Sequence, residues 1–373
     1  MKKHVLSLSA FLLAGALGVF GATSATAVTT EITNIATDGS YNLVSVSNDG
    51  SLVAAAAEYN EIVIYTVDTQ ESRIVSTPGT DIGAVVFSPD NQWLYVAGYD
   101  ETAIYVIDLS DDSLDRTISM PEDIWNLLTI SPDGNTLYAG AYSSDNLYSV
   151  ALDNNDTVSA ALAAGDPSAW QLCISSDGST VYFPDYSNGE LDVIDTATWE
   201  VADSWTTGSD PFTCTMDNDD NVYVVNSGEK TVTKFTPAGV ATQGAQNSVD
   251  SIYGITTSCN TLYLGDYNSN EIVTADLTTL DETGDLIQVT SNDSGFYTYS
   301  AARSLDGSVV AFGGYYGSDG LAVITTPECA TADDSALPQT GASVEGNILG
   351  GTVLAMVGAV AVFIARRRTA VRN

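Results

Sequence analysis

Histidine is all but missing from this chain: the only one, His4, precedes an apolar stretch near the N-terminus. A body without histidine excludes a Ser-His-Asp triad and a histidine general base, and it lacks the commonest transition-metal ligand. Carboxylate, tyrosine or lysine chemistry is what remains, so no enzyme is expected. Cysteine is scarce too. The four residues Cys173, Cys214, Cys259 and Cys329 include no CxxC pair, which argues against a zinc knuckle. Positive charge is the third shortage, with 11 Lys and Arg against 48 Asp and Glu. Residues 28–340 hold 47 of those acids but only Arg73, Arg116, Lys230, Lys234 and Arg303, a balance of −42. Repulsion on that scale excludes nucleic acid and anionic lipid surfaces as partners, whereas it favours solubility and suits cations or basic ligands.

Long uncharged runs occur only at the two ends. Lys2, Lys3 and His4 lead into Val5–Phe20, and Ala25-Thr26-Ala27 offers small residues for cleavage after Ala27, so residues 1–27 are expected to be a secretory signal peptide. At the other end stands Leu337-Pro338-Gln339-Thr340-Gly341, then 18 uncharged residues from Ile348 to Ala365, then Arg366-Arg367-Arg368. Such a run is long enough to cross a ~30 Å hydrocarbon core as a helix, and the arginines would hold its far side in the cytoplasm. This order of parts resembles the LPxTG sorting signal of Gram-positive surface proteins. In that family a sortase cuts between Thr and Gly and joins the new carboxyl to peptidoglycan. The resemblance implies a sortase as partner, Leu337, Pro338, Thr340 and Gly341 as the recognised residues, and Thr340 as the covalent anchor. It also implies a secreted, cell-wall location, with a membrane-bound stage only in the precursor. The expected divisions are a signal peptide (1–27), a domain (28–326), a short linker (327–336), the sorting motif (337–341) and a removed tail (342–373). Ten linker residues span at most ~35 Å extended, which keeps the domain close to the wall.

Internal repetition decides the expected fold. Ser131-Pro132-Asp133-Gly134 leads into Thr136-Leu137-Tyr138-Ala139, a tight turn followed by a strand, and related units have turn residues at 49, 90, 133, 177, 218, 258 and 306. Spacings of 40 to 48 residues match a four-stranded propeller blade. Each unit supplies further alternating runs, such as Ala103–Ile107 and Asp115–Ile118, and no helical periodicity intervenes. An all-β, seven-bladed β-propeller is therefore predicted over 28–326. The segment Thr30–Ile35 resembles a fourth strand, and the chain after the last turn is too short for a full blade. The N-terminal strand is thus expected to close the ring.

The units are similar to those of YVTN-repeat propellers of surface and periplasmic proteins, on Tyr95-Val96-Ala97-Gly98, Val106-Ile107-Asp108, Asp192-Val193-Ile194-Asp195, Tyr223-Val224-Val225-Asn226 and the SPDG turns. The resemblance covers about residues 30 to 326. It implies the fold, whereas the family's functions range from surface-layer-type proteins and binding modules to relatives of propeller lactonases.

Two sets of residues are candidates for a site. A tyrosine recurs where the second strand of a unit turns into the third, at Tyr99, Tyr142, Tyr186, Tyr267 and Tyr315, with Tyr59 one place later. Packing against the next blade is the simpler account of a residue repeated so regularly. The connections from each fourth strand to the next first strand differ from one another and open on the same face near the axis. They carry Tyr41, Asp81, Glu122, Asp123, Trp125, Asp166, Trp170, Asp210, Phe212, Asp250, Tyr253, Phe296 and Tyr297. Acids mixed with aromatics around a concave mouth suit carbohydrate or amine binding. Asp217, Asp219 and Asp220 form the one calcium candidate, without the glycine and terminal glutamate of an EF-hand loop. No other cofactor is implied. Cys173 with Cys214 and Cys259 with Cys329 is the expected disulfide pairing, provided equivalent positions of neighbouring blades come within the ~7 Å Cα limit. The expected activity is therefore non-covalent binding or scaffolding of a carbohydrate or protein ligand at the wall. A metal-dependent lactonase-like hydrolase or lyase, or a purely structural wall protein, are the alternatives.

Overall fold

The computed structural model describes residues 31–35 and 43–326, apart from 57–59, 80–81, 99–100, 142–143, 154, 166–167, 290–296 and 316–319. The segments expected to be a signal peptide, a linker, a sorting motif and an apolar tail lie outside the described residues, as does Cys329. Among the described residues there is no α-helix, and hence none long and apolar enough to cross a membrane.

Seven antiparallel sheets follow one another in chain order. The first is Val44–Val46, Leu52–Ala56, Glu61–Thr66 and Glu71–Ser76; the second begins at Ile82–Phe87, the third at Ile124–Ile130 and the fourth at Cys173–Ile174. The fifth, sixth and seventh begin at Pro211–Met216, Ile252–Ser258 and Tyr297–Arg303. First strands of successive sheets touch one another, and Val44–Val46 also touches Tyr297–Arg303, so the seven close into a ring around these innermost strands. Glu31–Ile35 pairs antiparallel with Leu321–Thr325, from Glu31 opposite Thr325 to Ile35 opposite Leu321. The N-terminal strand therefore completes the seventh blade and bonds a sheet edge that would otherwise be open.

The core follows from the period of two. In Trp93–Gly98, Leu94 and Val96 pack toward the first blade while Tyr95 and Ala97 pack toward the third. Because both faces of an inner strand are covered, these strands read as continuous apolar runs. Buried side chains divide into seven clusters, each shared by two adjacent blades. Outer strands such as Glu200–Thr206 and Glu282–Gln288 are almost wholly exposed.

The turn between first and second strands explains the repeat. In blades one, two, three, four and seven a serine hydroxyl donates to an aspartate two residues on, at 2.5–2.8 Å. That carboxylate accepts a following backbone N–H, and the serine oxygen accepts the N–H five residues on. The next residue is left-handed: glycine at 50, 134, 178 and 307, but Asn91, Asp220 and Cys259 in the other blades. Asp220 in that role moves the fifth turn residue from 218 to 219. In the five blades with a Ser-x-Asp pair the turn is a structural device, its serine and aspartate bonded to each other and to the backbone around them.

Candidate functional site at the axial mouth

On the face opposite those turns, aromatic rings from the last four blades meet. Trp170 contacts Phe212 at 5.5 Å, Tyr253 at 6.2 Å and Tyr299 at 4.3 Å between ring centroids. Phe212 and Tyr253 lie 4.6 Å apart, and Tyr253 stacks on Tyr267 at 4.7 Å. Tyr186 joins at Phe212, 6.4 Å away, and Tyr297 at Tyr267, 6.1 Å away. Phe212 is buried, whereas the other six rings are partly exposed and so remain available to a ligand.

A repeated backbone irregularity builds this cluster. The pairing of first and second strands shifts register between Ile82 and Ala84, Ile124 and Leu128, Pro211 and Thr213, Ile252 and Gly254, and Thr298 and Ser300. A bulged residue leaves the alternation and its side chain is re-aimed. Phe212, Tyr253 and Tyr299 are those extra residues, Asn126 lies within the third blade's irregularity, and Gly83 takes the second blade's place. In the fourth blade the first strand pairs only at Cys173 and Ile174, and Trp170 instead donates its backbone N–H to the carbonyl of Phe212. Close approach completes the cluster on the other side. A Cβ on Gly265 would lie 2.2 Å, and one on Gly254 2.7 Å, from Thr298 Cγ2, so only glycine lets the strand carrying Tyr297 and Tyr299 settle against the sixth blade.

Cys173 and Cys214 form a disulfide with their Cα atoms 6.1 Å apart, inside the reach that the sequence left in question. It lies on the innermost strands of blades four and five, three residues on from Trp170 and two on from Phe212. Cys259 is also disulfide-bonded.

The carboxylates expected around the mouth divide by environment. Glu122 accepts from Asn146 Nδ2 at 2.7 Å, Tyr148 Oη at 2.6 Å and Ser144 Oγ, and these bonds, the Ser144 hydroxyl first, hold its carboxyl below the usual range. Burial, then the bond to Glu122, pushes the Tyr148 phenol up to about 12. Asp250 pairs with Lys230 Nζ at 2.6 Å, which lowers its pKa. Both acids are thus engaged within the protein. Asp210 and Glu229 instead flank an open groove of about 330 Å³ beside Tyr186, running between blades four and five. Asp210 has a left-handed backbone there, φ 55°, and Glu229 accepts from Gln243 Nε2 at 2.9 Å. Burial, then the neighbouring Tyr267 and Tyr186, pushes the Tyr253 phenol up, so it stays a neutral donor at physiological pH. Tyr41, Asp81, Asp166, Phe296 and the side chain of Trp125 lie outside the described residues, as do Tyr59, Tyr99, Tyr142 and the side chain of Tyr315.

Two of the three acids of the calcium candidate make hydrogen bonds within the protein. Asp217 accepts from the N–H groups of Asp219 and Asn221 (both 2.9 Å), from Asn221 Nδ2 (2.8 Å) and from Tyr223 Oη (2.8 Å). Asp220 reaches across to the backbone N–H and hydroxyl of Ser176 at 2.8 and 2.7 Å. Among the described residues no group of three or more His, Cys, Asp or Glu is arranged to hold a metal ion.

Two tyrosines of the repeated 2–3 position, Tyr186 and Tyr267, do pack on the next blade, and in doing so they join the cluster. Sequence reasoning missed Tyr299, because the bulge that re-aims it leaves no mark in the sequence. It also missed Asn126, an amide within the largely apolar strand Ile124–Ile130.

No protein-family model matches the chain. No curated protein sequence matches it either. Among solved structures it is similar to the Cps50 (Swd1) beta-propeller domain of Myceliophteria thermophila, with a TM-score of 0.66 and 15% identity over 80% of this chain and 99% of that one. It is similar also to a chain of the Kuenenia stuttgartiensis hydrazine synthase, with a TM-score of 0.64 and 17% identity over 82% of this chain and 99% of that one. At these identities the likeness concerns the fold alone.

Proposed function

We propose that this protein is a secreted propeller, held on peptidoglycan through Thr340, that recognises a wall-proximal ligand without turning it over. The convergence of Trp170, Tyr186, Tyr253, Tyr267, Tyr297 and Tyr299 on one face carries the recognition half of this reading. Partly exposed rings that are fixed by neighbouring rings offer apolar contact area at small entropic cost, with phenol hydroxyls for orientation, which suits a carbohydrate. The address rests on the order of leader, LPxTG motif, apolar run and arginines. Strong negative charge is in keeping with a ligand that is not anionic.

A glycan array probed with the purified full-length chain tests recognition. Saturable binding that is lost in Trp170→Ala, with the glycan recovered unchanged, supports it; consumption of a ligand would favour the hydrolase or lyase reading. The address has its own test. Release of the protein from cells by muralytic digestion but not by detergent is the expected result, and release by detergent alone would overturn it.

A further inference from the structure

Five blades carry the register shift in their first strand, and aromatic rings stand at three of these positions, Phe212, Tyr253 and Tyr299, while Trp170 takes the corresponding place in the fourth blade, whose first strand pairs only at Cys173 and Ile174. Gly83 fills one. The remaining one is Asn126, which is only 5% exposed and whose Nδ2 has no hydrogen-bond partner among the described residues. A buried donor left in that state is costly, and native proteins rarely keep one without a use. Asn126 lines an axial cavity of about 40 Å³ together with Trp170, Tyr253 and Tyr299. Its other polar lining groups, Gln171, Thr213 and Ser300, are uncharged. Since one water needs roughly 10–15 Å³ on this measure, the space suits about three waters or one small polar substituent of a ligand.

Resting on the recognition reading above, we infer that this cavity is a subsite for a neutral sugar: an uncharged ligand oxygen, hydroxyl or amide carbonyl, accepts from Asn126 Nδ2 while the sugar ring lies against Trp170 and Tyr299. The donor decides the class. An ammonium group carries no acceptor and cannot satisfy Nδ2. A carboxylate or phosphate would accept, but it would be buried among neutral groups in a protein of strongly negative charge, which costs more than the single bond returns. A neutral oxygen escapes both penalties.

Tryptophan emission of the full-length chain, titrated with N-acetylglucosamine, glucose and galactose as neutral probes, glucosamine as the cation and glucuronic acid as the anion, tests this. At least one neutral sugar should bind saturably, at least tenfold tighter than glucosamine or glucuronic acid. Asn126→Leu should weaken that sugar at least tenfold with Tm unchanged or raised, because the unpartnered amide is removed. Asn126→Ser, whose hydroxyl is too short to reach, should weaken it several-fold and guards against misfolding of the first variant. Tighter binding of glucosamine, or unaltered sugar affinity in both variants, overturns the subsite; a fall in Tm without a change in affinity would make Asn126 a scaffold residue only. A ligand that depends on Trp170 but ignores Asn126 sinks this inference alone. No saturable response to any neutral probe overturns the subsite, and an empty glycan array as well overturns the recognition reading with it.

Discussion

The backbone N–H of Trp170 donates to the carbonyl of Phe212 at 2.8 Å, across the seam between the fourth and fifth blades. Three residues on from Trp170 and two on from Phe212, Cys173 and Cys214 close the same seam covalently. The fourth blade's first strand pairs with its own sheet at only two residues. Its upper part leans instead on the fifth blade through the Trp170–Phe212 bond, while the Trp170 ring reaches across to Tyr299 of the seventh. The disulfide thus holds the ring face in place of the missing ladder bonds.

Removing it should cost stability and loosen the mouth together. With a sequence separation of 41, the chain-entropy model gives about 4 kcal/mol for Cys173→Ala/Cys214→Ala. Denaturant unfolding measures this. Tryptophan emission before the transition should shift to the red as Trp170 gains water. An unchanged midpoint and spectrum would show the staple to be idle.

Neighbouring blades are also clasped at their rims. Arg116 donates through Nε to Asp156 at 2.7 Å, and Arg73 reaches Asp112 in the same way at 2.9 Å. Asp112 and Asp156 are both left-handed residues of the turn between third and fourth strands. These pairs are partly exposed, so a double-mutant cycle on Arg116 and Asp156 should give a coupling of about 0.5–1 kcal/mol, reduced in 1 M salt. A coupling of zero would show that this pair does not hold the second and third blades together.

Glu122 makes stability depend on acid. Its folded pKa is depressed by Ser144, Tyr148 and Asn146, so its contribution is complete above the unfolded value of about 4.3 and is lost as pH falls through the folded one. The difference in Tm between the native chain and Glu122→Gln should be greatest near pH 7 and vanish in acid. A difference that does not change with pH would mean that packing, not ionisation, is responsible.

Gly265→Ala puts a methyl group into Thr298. Overpacking of this kind typically costs about 1–3 kcal/mol. Because Thr298 stands between Tyr297 and Tyr299, ligand binding should weaken along with Tm. A variant as stable as the parent would show that the strand shifts freely.

The ring depends on its first strand. Deleting residues 31–35 leaves Leu321–Thr325 as an open edge, and the shortened chain should melt earlier and self-associate, as read by thermal unfolding and size-exclusion chromatography. A monomer of unaltered Tm would overturn the closure.

Most of the fold was legible because its signals are local. The Ser-x-Asp turn is a closed network over a few residues, and its recurrence in five units, with degraded copies in the other two, marks a repeat of about 43 residues that counts the blades. The chain therefore determined by itself an all-β ring, seven units, closure by the first strand and a body poor in cations. The site was legible in part. Connection residues Trp170, Phe212, Tyr253 and Tyr297 were named from their place in the repeat, and they do meet; Glu122 and Asp250 were named on the same grounds and are spent on Ser144, Asn146, Tyr148 and Lys230. Which rings face the axis, which acids are occupied, and that Asn126 stands unpartnered among aromatics were decided only in three dimensions. The reason is physical: a bulge adds one residue to a strand without a sequence mark of its own, and whether a carboxylate is free depends on donors that reach it from other strands and turns.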